Sequence, residues 1–250
     1  MSLAELAMQP TYSSNVMAII GRLAHAGDEV QALDGLAAAA DQMGTDAAAF
    51  VSFSKDDPSH ESFRFLLACD PVWCLEYERR AWYTNDPWLQ YCLTHSEPAR
   101  GEDIAPGSAQ QRAVVELAAQ FGFRSALIVP APSTGGLTRI GVLCLGSSAP
   151  GFFDDEGYLP LKMLARNLAM ELHAWWVARI KRELIDSAGL LDEDLALLMH
   201  ERLGHSTAFI ANALDMSPSA VNSRFQRMNA RLGVPNRKAA AQLAAEYGLI

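Results

Sequence analysis

The sequence predicts an α+β chain: an N-terminal α-β-α sandwich followed by a C-terminal all-α domain built on a helix-turn-helix. Three observations predict it. Short apolar runs of strand character, "AAAFVSFS" (47–54), "SALIVPAP" (125–132) and "LTRIGVLCLG" (137–146), sit among helical segments. A long helical pattern follows them, and every element beyond Gly189 reads as helix. The charge divides at the same place. The chain of 250 residues carries 20 bases and 29 acids, yet residues 188–250 balance six bases against six acids, so the front holds the whole net charge of −9. Two domains suit this length: 1–176, including a dimerisation helix, then a linker at 177–189, then 190–250.

Residues 14–43 read as helical with an interruption near "HAGDE". The strand 47–54 is joined through "KDDPSH" to a second, 62–68, whose Phe63, Phe65 and Leu67 form one apolar face. "VWCLEYERRAW" and "PWLQYCLTH" are short helices, and "EPARGEDIAPG" is a loop. Residues 108–122 are a helix with Val114, Leu117, Ala118 and Phe121 on one face, stopped by Gly122. The strands at 125–132 and 137–146 form an antiparallel pair around a tight "STGG" turn. The helix from Asp154 to Asp186 carries two apolar rows at heptad spacing, Leu161, Leu168, Trp175 and Met163, Met170, Val177, Leu184. One row can serve its own core and the other a second subunit, or both can form one broad stripe.

Three helices fit the tail: Asp192–Leu203, Thr207–Leu214, and a third that starts with Ser217 as N-cap and Pro218 at the first helical position. In the third, Val221, Phe225, Met228 and Leu232 form the buried stripe. Ser219, Asn222, Ser223, Arg224, Arg227 and Arg231 are left on or near the solvated side. Met216–Ala245 contains no acid, although Arg224, Arg227, Arg231, Arg237 and Lys238 all lie there. Two short helices with a polar, basic second member describe a helix-turn-helix. Arg and Asn have the forked donors that suit base edges, and the remaining bases can neutralise phosphates. The window is read as acid-free because it faces DNA.

Other chemistry is weakly represented. Four cysteines (Cys69, Cys74, Cys92, Cys144) without a CxxC pair read as reduced, buried thiols of a cytoplasmic protein. No apolar run approaches a bilayer span, and the first residues lack the basic region of a secretory signal. "HERLGH" places His200 and His205 about 140° apart on a helix, with Gly204 ending the helix between them, so no zinc site is expected. Cys92 and His95 lack an orienting third group. With no phosphate-binding loop either, the chain is read as a non-enzyme without metal. A phosphorylated receiver is excluded because the strand pattern is not doubly wound.

The tail resembles the DNA-binding domain of the LuxR family. The matches are Leu198, Gly204, Ile210–Ala211, Ser217, Val221, Leu232–Val234, Asn236–Arg237, Ala240 and the closing "GLI". Asp194 stands where that family usually has Glu. "WCLEYERRAWYTNDP" has Trp73, Tyr77 and Asp86-Pro87 at a spacing that resembles the pocket of the family's autoinducer-binding domains, and residues 119–130 resemble the segment after it. The resemblance implies a quorum-sensing regulator. It would bind a small acylated signal, an N-acyl homoserine lactone, need no other cofactor, and bind double-stranded promoter DNA as a homodimer. Asp86 would accept from the signal's amide N–H, Trp73 would donate to the lactone carbonyl, and Tyr77 to the acyl carbonyl. Read singly, Trp73 and Tyr77 are also compatible with plain core aromatics and "NDP" with a helix start. The chain departs from the pattern at Gly101 (usually aromatic), Ala126 (usually glycine), Cys144 (often Ser or Thr) and Trp88 (usually smaller). Trp88 is expected to refill the space left at Gly101 and to reshape the acyl end. The alternative is an orphan regulator that answers to a non-lactone molecule or to no ligand.

Overall fold

The computed structural model describes residues 2–55, 62–133 and 138–250. The turns expected at 55–60 and 133–136 lie, apart from Lys55 and Ser133, outside them. The chain divides into two compact units, residues 1–133 with 139–175 and residues 176–250.

The front unit begins with helices α1 (Leu3–Ala7), α2 (Tyr12–Leu23) and α3 (Glu29–Gln42). Ser2 and Asp28 cap α1 and α3 by accepting from the amides of Glu5 and Gln31. Five strands follow, β1 (Ala47–Ser54), β2 (Arg64–Ala68), β3 (Ala99–Arg100), β4 (Ser125–Pro132) and β5 (Arg139–Ser147), in the antiparallel order β2-β1-β5-β4-β3. Strand β3 occupies what reads in the sequence as a loop. Two residues are too few to carry an alternation, so only its pairing with Leu127 and Ile128 reveals it. The intervening helices are α4 (Pro71–Arg79), α5 (Pro87–Thr94) and α6 (Ala109–Ala118), the last shorter than expected because it tightens into a 3-10 turn over Ala119–Phe121.

Both faces of the central strands are buried, which is why β1 and β4 read as near-continuous apolar runs. One face presents Ala49, Val51, Ile128, Val142 and Cys144 to α4, α5 and α6. The register sets Cys144 opposite both Ala49 and Ile128. The other face carries Phe50 and meets helix α7 (Tyr158–Ala188). The approach is close at Gly141, where an added Cβ would lie 2.7 Å from Phe50 Cζ and 3.0 Å from His173 Nδ1. The two rows of α7 differ in burial. Leu161, Leu168 and Trp175 are buried, and Trp175 Nε1 donates to Ala26 O at 2.8 Å. Met163 and Met170 stay 55% and 45% exposed, and Val177 and Leu184 are half-buried. Residues 177–188, expected as linker, are the last turns of this helix.

The second unit holds four helices where three were expected: α8 (Asp192–Arg202), α9 (Thr207–Ala213), α10 (Pro218–Leu232) and α11 (Arg237–Glu246). Helix α11 is capped by Asn236 and buries alanines. Small side chains give little periodic contrast, which hides it in the sequence. Helices α9 and α10 are joined by a short turn with Asp215 in the left-handed region (φ 52), and Ser217 caps α10. Among the described residues no helix is long and apolar enough to cross a membrane.

His173 is buried in the front unit, with Nε2 2.8 Å from Ser133 Oγ. Burial, reinforced by Arg139, holds its pKa down to about 4. The folded chain therefore keeps the ring neutral after the unfolded chain has protonated it. The stability this contributes is complete above the unfolded pKa of about 6.5 and is lost as pH falls toward 4, to a limit of about 3 kcal/mol. Urea unfolding of wild type and His173→Gln should converge over that window. Parallel pH profiles for the two proteins would refute a neutral buried ring.

Candidate functional site

Two Asp-Pro pairs start the helices that carry the site. Asp70 caps α4 and Asp86 caps α5, each followed by a proline whose missing N–H costs nothing at a helix start. Trp73 and Tyr77, one turn apart on α4, face the sheet and are buried. Asp86 Oδ1 accepts from the amides of Trp88 (2.7 Å) and Leu89 (3.4 Å), while Oδ2 accepts from Tyr77 Oη at 2.7 Å. The helix-start reading of "NDP" accounts for one carboxylate oxygen, and the other is turned to Tyr77. Burial raises the Asp86 pKa, and the three hydrogen bonds offset only part of that. Burial also holds the Tyr77 phenol well above its usual range, assisted by Asp86, so Tyr77 supplies the proton of this pair.

These residues line a cavity of about 30 Å³ together with Trp88, Cys144, Ala49, Val51, Phe65, Leu67, Leu89 and Phe123. Burial, then the nearby Asp86 and Cys92, keeps the Cys144 thiol protonated. Five of the six expected residues thus meet. The sixth, Ala126, lies beside Gly101, where an added Cβ would come 3.0 Å from Ala126 Cβ and 3.4 Å from Trp88 Cζ2. The Trp88 indole fills the space at Gly101, as its size suggests. Its Nε1 is buried without an acceptor among the described residues, a cost of about 1–3 kcal/mol unless a partner arrives. Sequence reading missed the contributions of Ala49 and Val51, because a strand buried on both faces gives no sign of which side meets a cavity. Phe65 and Leu67 were signalled by their alternation. The space amounts to about one water, whereas ligand pockets run to roughly 300–1,000 Å³. Admission of an acyl chain therefore requires the wall to repack.

The other sites weighed in the sequence behave differently. Cys92 is buried with its thiol pKa pushed up, and His95 Nδ1 sits 3.0 Å from Tyr91 O and 2.9 Å from Thr94 Oγ1. The Cys92 thiol is held protonated, and the His95 ring is engaged with its own helix end. His200 and His205 do meet, contrary to the helical angle, because the chain turns back at Gly204 and brings their Nδ1 atoms to 2.8 Å. No third ligand joins them among the described residues.

In the second unit, Ser219, Asn222, Ser223 and Arg227 lie exposed along α10, with Gln226 on the same face. Arg224, expected on that face, is drawn instead onto α8, while Arg231 stays exposed as expected and also reaches back toward the start of α8. Arg224 Nε donates to Asp194 Oδ1 at 2.7 Å and its Nη1 pairs with Glu193. Arg231 donates to Gly189 O (2.7 Å) and to Asp194 Oδ2 (3.2 Å). Arg237 pairs with Glu201 at 3.0 Å. The acid-free window thus takes its acids from a helix about thirty residues earlier in the chain, where Asp194 is 1% exposed. Burial pushes the Asp194 carboxyl up, but hydrogen bonds from Arg224, the Leu191 amide and Arg231 bring it below the usual range. Removing one partner from a buried pair is costly. Arg224→Ala should destabilise this unit by about 3 kcal/mol, seen as faster amide exchange in α8 and α10. Unchanged exchange would show that the pair carries no stability.

Three comparisons place this geometry. A family described as the autoinducer binding domain matches residues 28–174, more than half of the chain. Among solved structures, the crystal structure of Escherichia coli SdiA superposes with a TM-score of 0.69 at 19% identity, covering 95% of this chain and 98% of that one. SdiA in complex with octanoyl-rac-glycerol gives 0.69 at 17%, covering 94% and 95%. The N-acylhomoserine lactone dependent LuxR family transcription factor CepR2 from Burkholderia cenocepacia gives 0.58 at 19%, covering 68% and 98%. At these identities the likeness is one of fold. No curated protein matches the sequence. With the family model spanning the sheet, the cavity and most of the helices around them, the chain belongs to the autoinducer-binding-domain family.

Proposed function

We propose that the front unit binds an acylated signal of the N-acyl homoserine lactone class and that the second unit binds promoter DNA, with the chain working as a cytoplasmic homodimer. The observation that carries the signal site is the buried Tyr77–Asp86 pair on the wall of an apolar cavity. The signal's amide N–H would donate to Asp86 Oδ2, which still has a lone pair. Trp73 would donate to the lactone carbonyl. Tyr77 has one hydroxyl proton, already given to Asp86, so it serves the acyl carbonyl only by leaving that bond. The second reading is an acyl ligand without a lactone. SdiA bound to octanoyl-rac-glycerol is one such case.

DNA would meet the helix-turn-helix of α9 and α10 through Ser219, Asn222, Ser223 and Arg227. Arg224 and Arg231 would brace the helix from behind rather than read bases. The exposed Met163 and Met170 row of α7 supports the dimer, since a second copy would bury it.

Thermal melting of protein made without lactones, against acyl-homoserine lactones of graded chain length and octanoylglycerol, tests the signal. A ligand at about 100 times its Kd adds roughly 2.7 kcal/mol, several degrees in Tm. Chain-selective shifts support the lactone, and a shift with octanoylglycerol alone supports the second reading. No shift with any member sinks both. Trp88→Val should move the preference toward longer chains, and an unchanged order would show that Trp88 does not bound the acyl end. For DNA, Arg227→Ala should lower the slope of log affinity against log salt on a random-sequence duplex by about 1. Equal slopes would remove Arg227 from the interface.

A further inference from the structure

Two cysteines lie beside the cavity without belonging to its wall. Cys69 directly follows β2, Cys74 stands in the first turns of α4, and their Sγ atoms are 3.6 Å apart. Both are partly exposed, unlike the buried Cys92 and Cys144. Solvent and small oxidants can therefore reach this pair, and the sequence reading of four uniformly buried thiols is corrected here. Four residues lie between them, and they join two elements that the cavity uses: β2 supplies Phe65 and Leu67, and α4 supplies Trp73 and Tyr77.

We propose that Cys69 and Cys74 form a modification site for hydroperoxides, closing to a disulfide that ties the start of α4 to the end of β2. Cys74 is the attacking sulfur. The hydrogen bond that the two sulfurs share lowers the Cys74 pKa and, with burial, raises that of Cys69, while Cys74 Sγ also lies 3.5 Å from Asp70 O. Its place in the first turns of a nine-residue helix also favours a thiolate. The Cys74 thiolate attacks one peroxide oxygen, so an S–O bond forms, the O–O bond breaks, and the leaving oxygen takes a proton. Cys74 is oxidised to the sulfenic acid as the peroxide is reduced. Cys69 then attacks the Cys74 sulfur; the S–S bond forms, the S–O bond breaks, and water departs with the Cys69 proton. Closure needs the two sulfurs to approach from 3.6 Å to bonding distance, a small adjustment at a strand end.

The consequence for signalling rests on the pocket reading above. The cavity of about 30 Å³ takes part of its wall from α4, so a shift of α4 from the sheet enlarges it, and a disulfide at the start of α4 opposes that shift. Oxidation would then weaken the response to signal without touching any wall residue.

The chemical step is tested without ligand. The full-length protein is treated with a small excess of hydrogen peroxide, and trypsin releases both cysteines in the single peptide Phe65–Arg79. The expected result is a peptide lighter by two hydrogens, restored by a thiol reductant, with slower amide exchange across Pro71–Arg79 in the intact protein. In Cys69→Ser the same peptide should gain oxygen instead, because the resolving sulfur is gone. A wild-type peptide that keeps its mass, or gains only oxygen, overturns the site. A disulfide that leaves α4 exchange unchanged overturns the tie. Neither outcome depends on whether the cavity binds a lactone, so failure here and failure of the signal reading are distinguishable.

Discussion

A carboxylate at 4% exposure is the constraint around which the front unit is arranged. A buried charge is costly unless it is hydrogen-bonded, and Asp86 meets that demand in two directions. Oδ1 takes the orphan amides at the start of α5, and Oδ2 takes the hydroxyl of Tyr77 from α4. One side chain thereby fixes where α5 begins and how closely α4 approaches it, and both helices are held over the same face of the sheet. The cavity is the space left between these helices and the small or β-branched residues of β1 and β5. Its polar end is the carboxylate itself, so a ligand that offers an N–H there completes a hydrogen-bond set that the fold has already begun.

The charge pattern of the tail shows where sequence reading succeeds and where it stops. The start of α10 was legible because capping is local: Ser217 and Pro218 satisfy or remove amides within one turn. Its buried stripe was legible because helical period is local too. The meaning of the acid-free window was not. Its balance depends on Glu193, Asp194 and Glu201, which only folding brings near Arg224, Arg231 and Arg237. The same limit applies in the front unit. Trp73, Tyr77 and Asp86 could be picked out by their resemblance to a family pattern, whereas Ala49 and Val51 reach the cavity only through strand register. The meeting of His200 with His205 likewise depends on a chain reversal that a helical angle cannot describe.

The departures from the family pattern are physically linked. With no side chain at Gly101, the indole of Trp88 is admitted to within ordinary contact of the backbone there. Volume lost on one element is restored from another, as a close-packed core requires. Polarity is not restored in the same way, because Trp88 Nε1 arrives with no acceptor. An apolar filler would have closed the space at lower cost. A donor left buried beside the cavity is satisfied by whatever acceptor comes within reach, a water or a ligand oxygen. Discrimination by such a group is stronger than by shape, since an analogue without the oxygen leaves the donor unpaired. On the proposed signal reading, the exchange at Gly101 and Trp88 would bear on which acyl chains are accepted, while Asp86, anchored by the start of α5, would take the polar head they share.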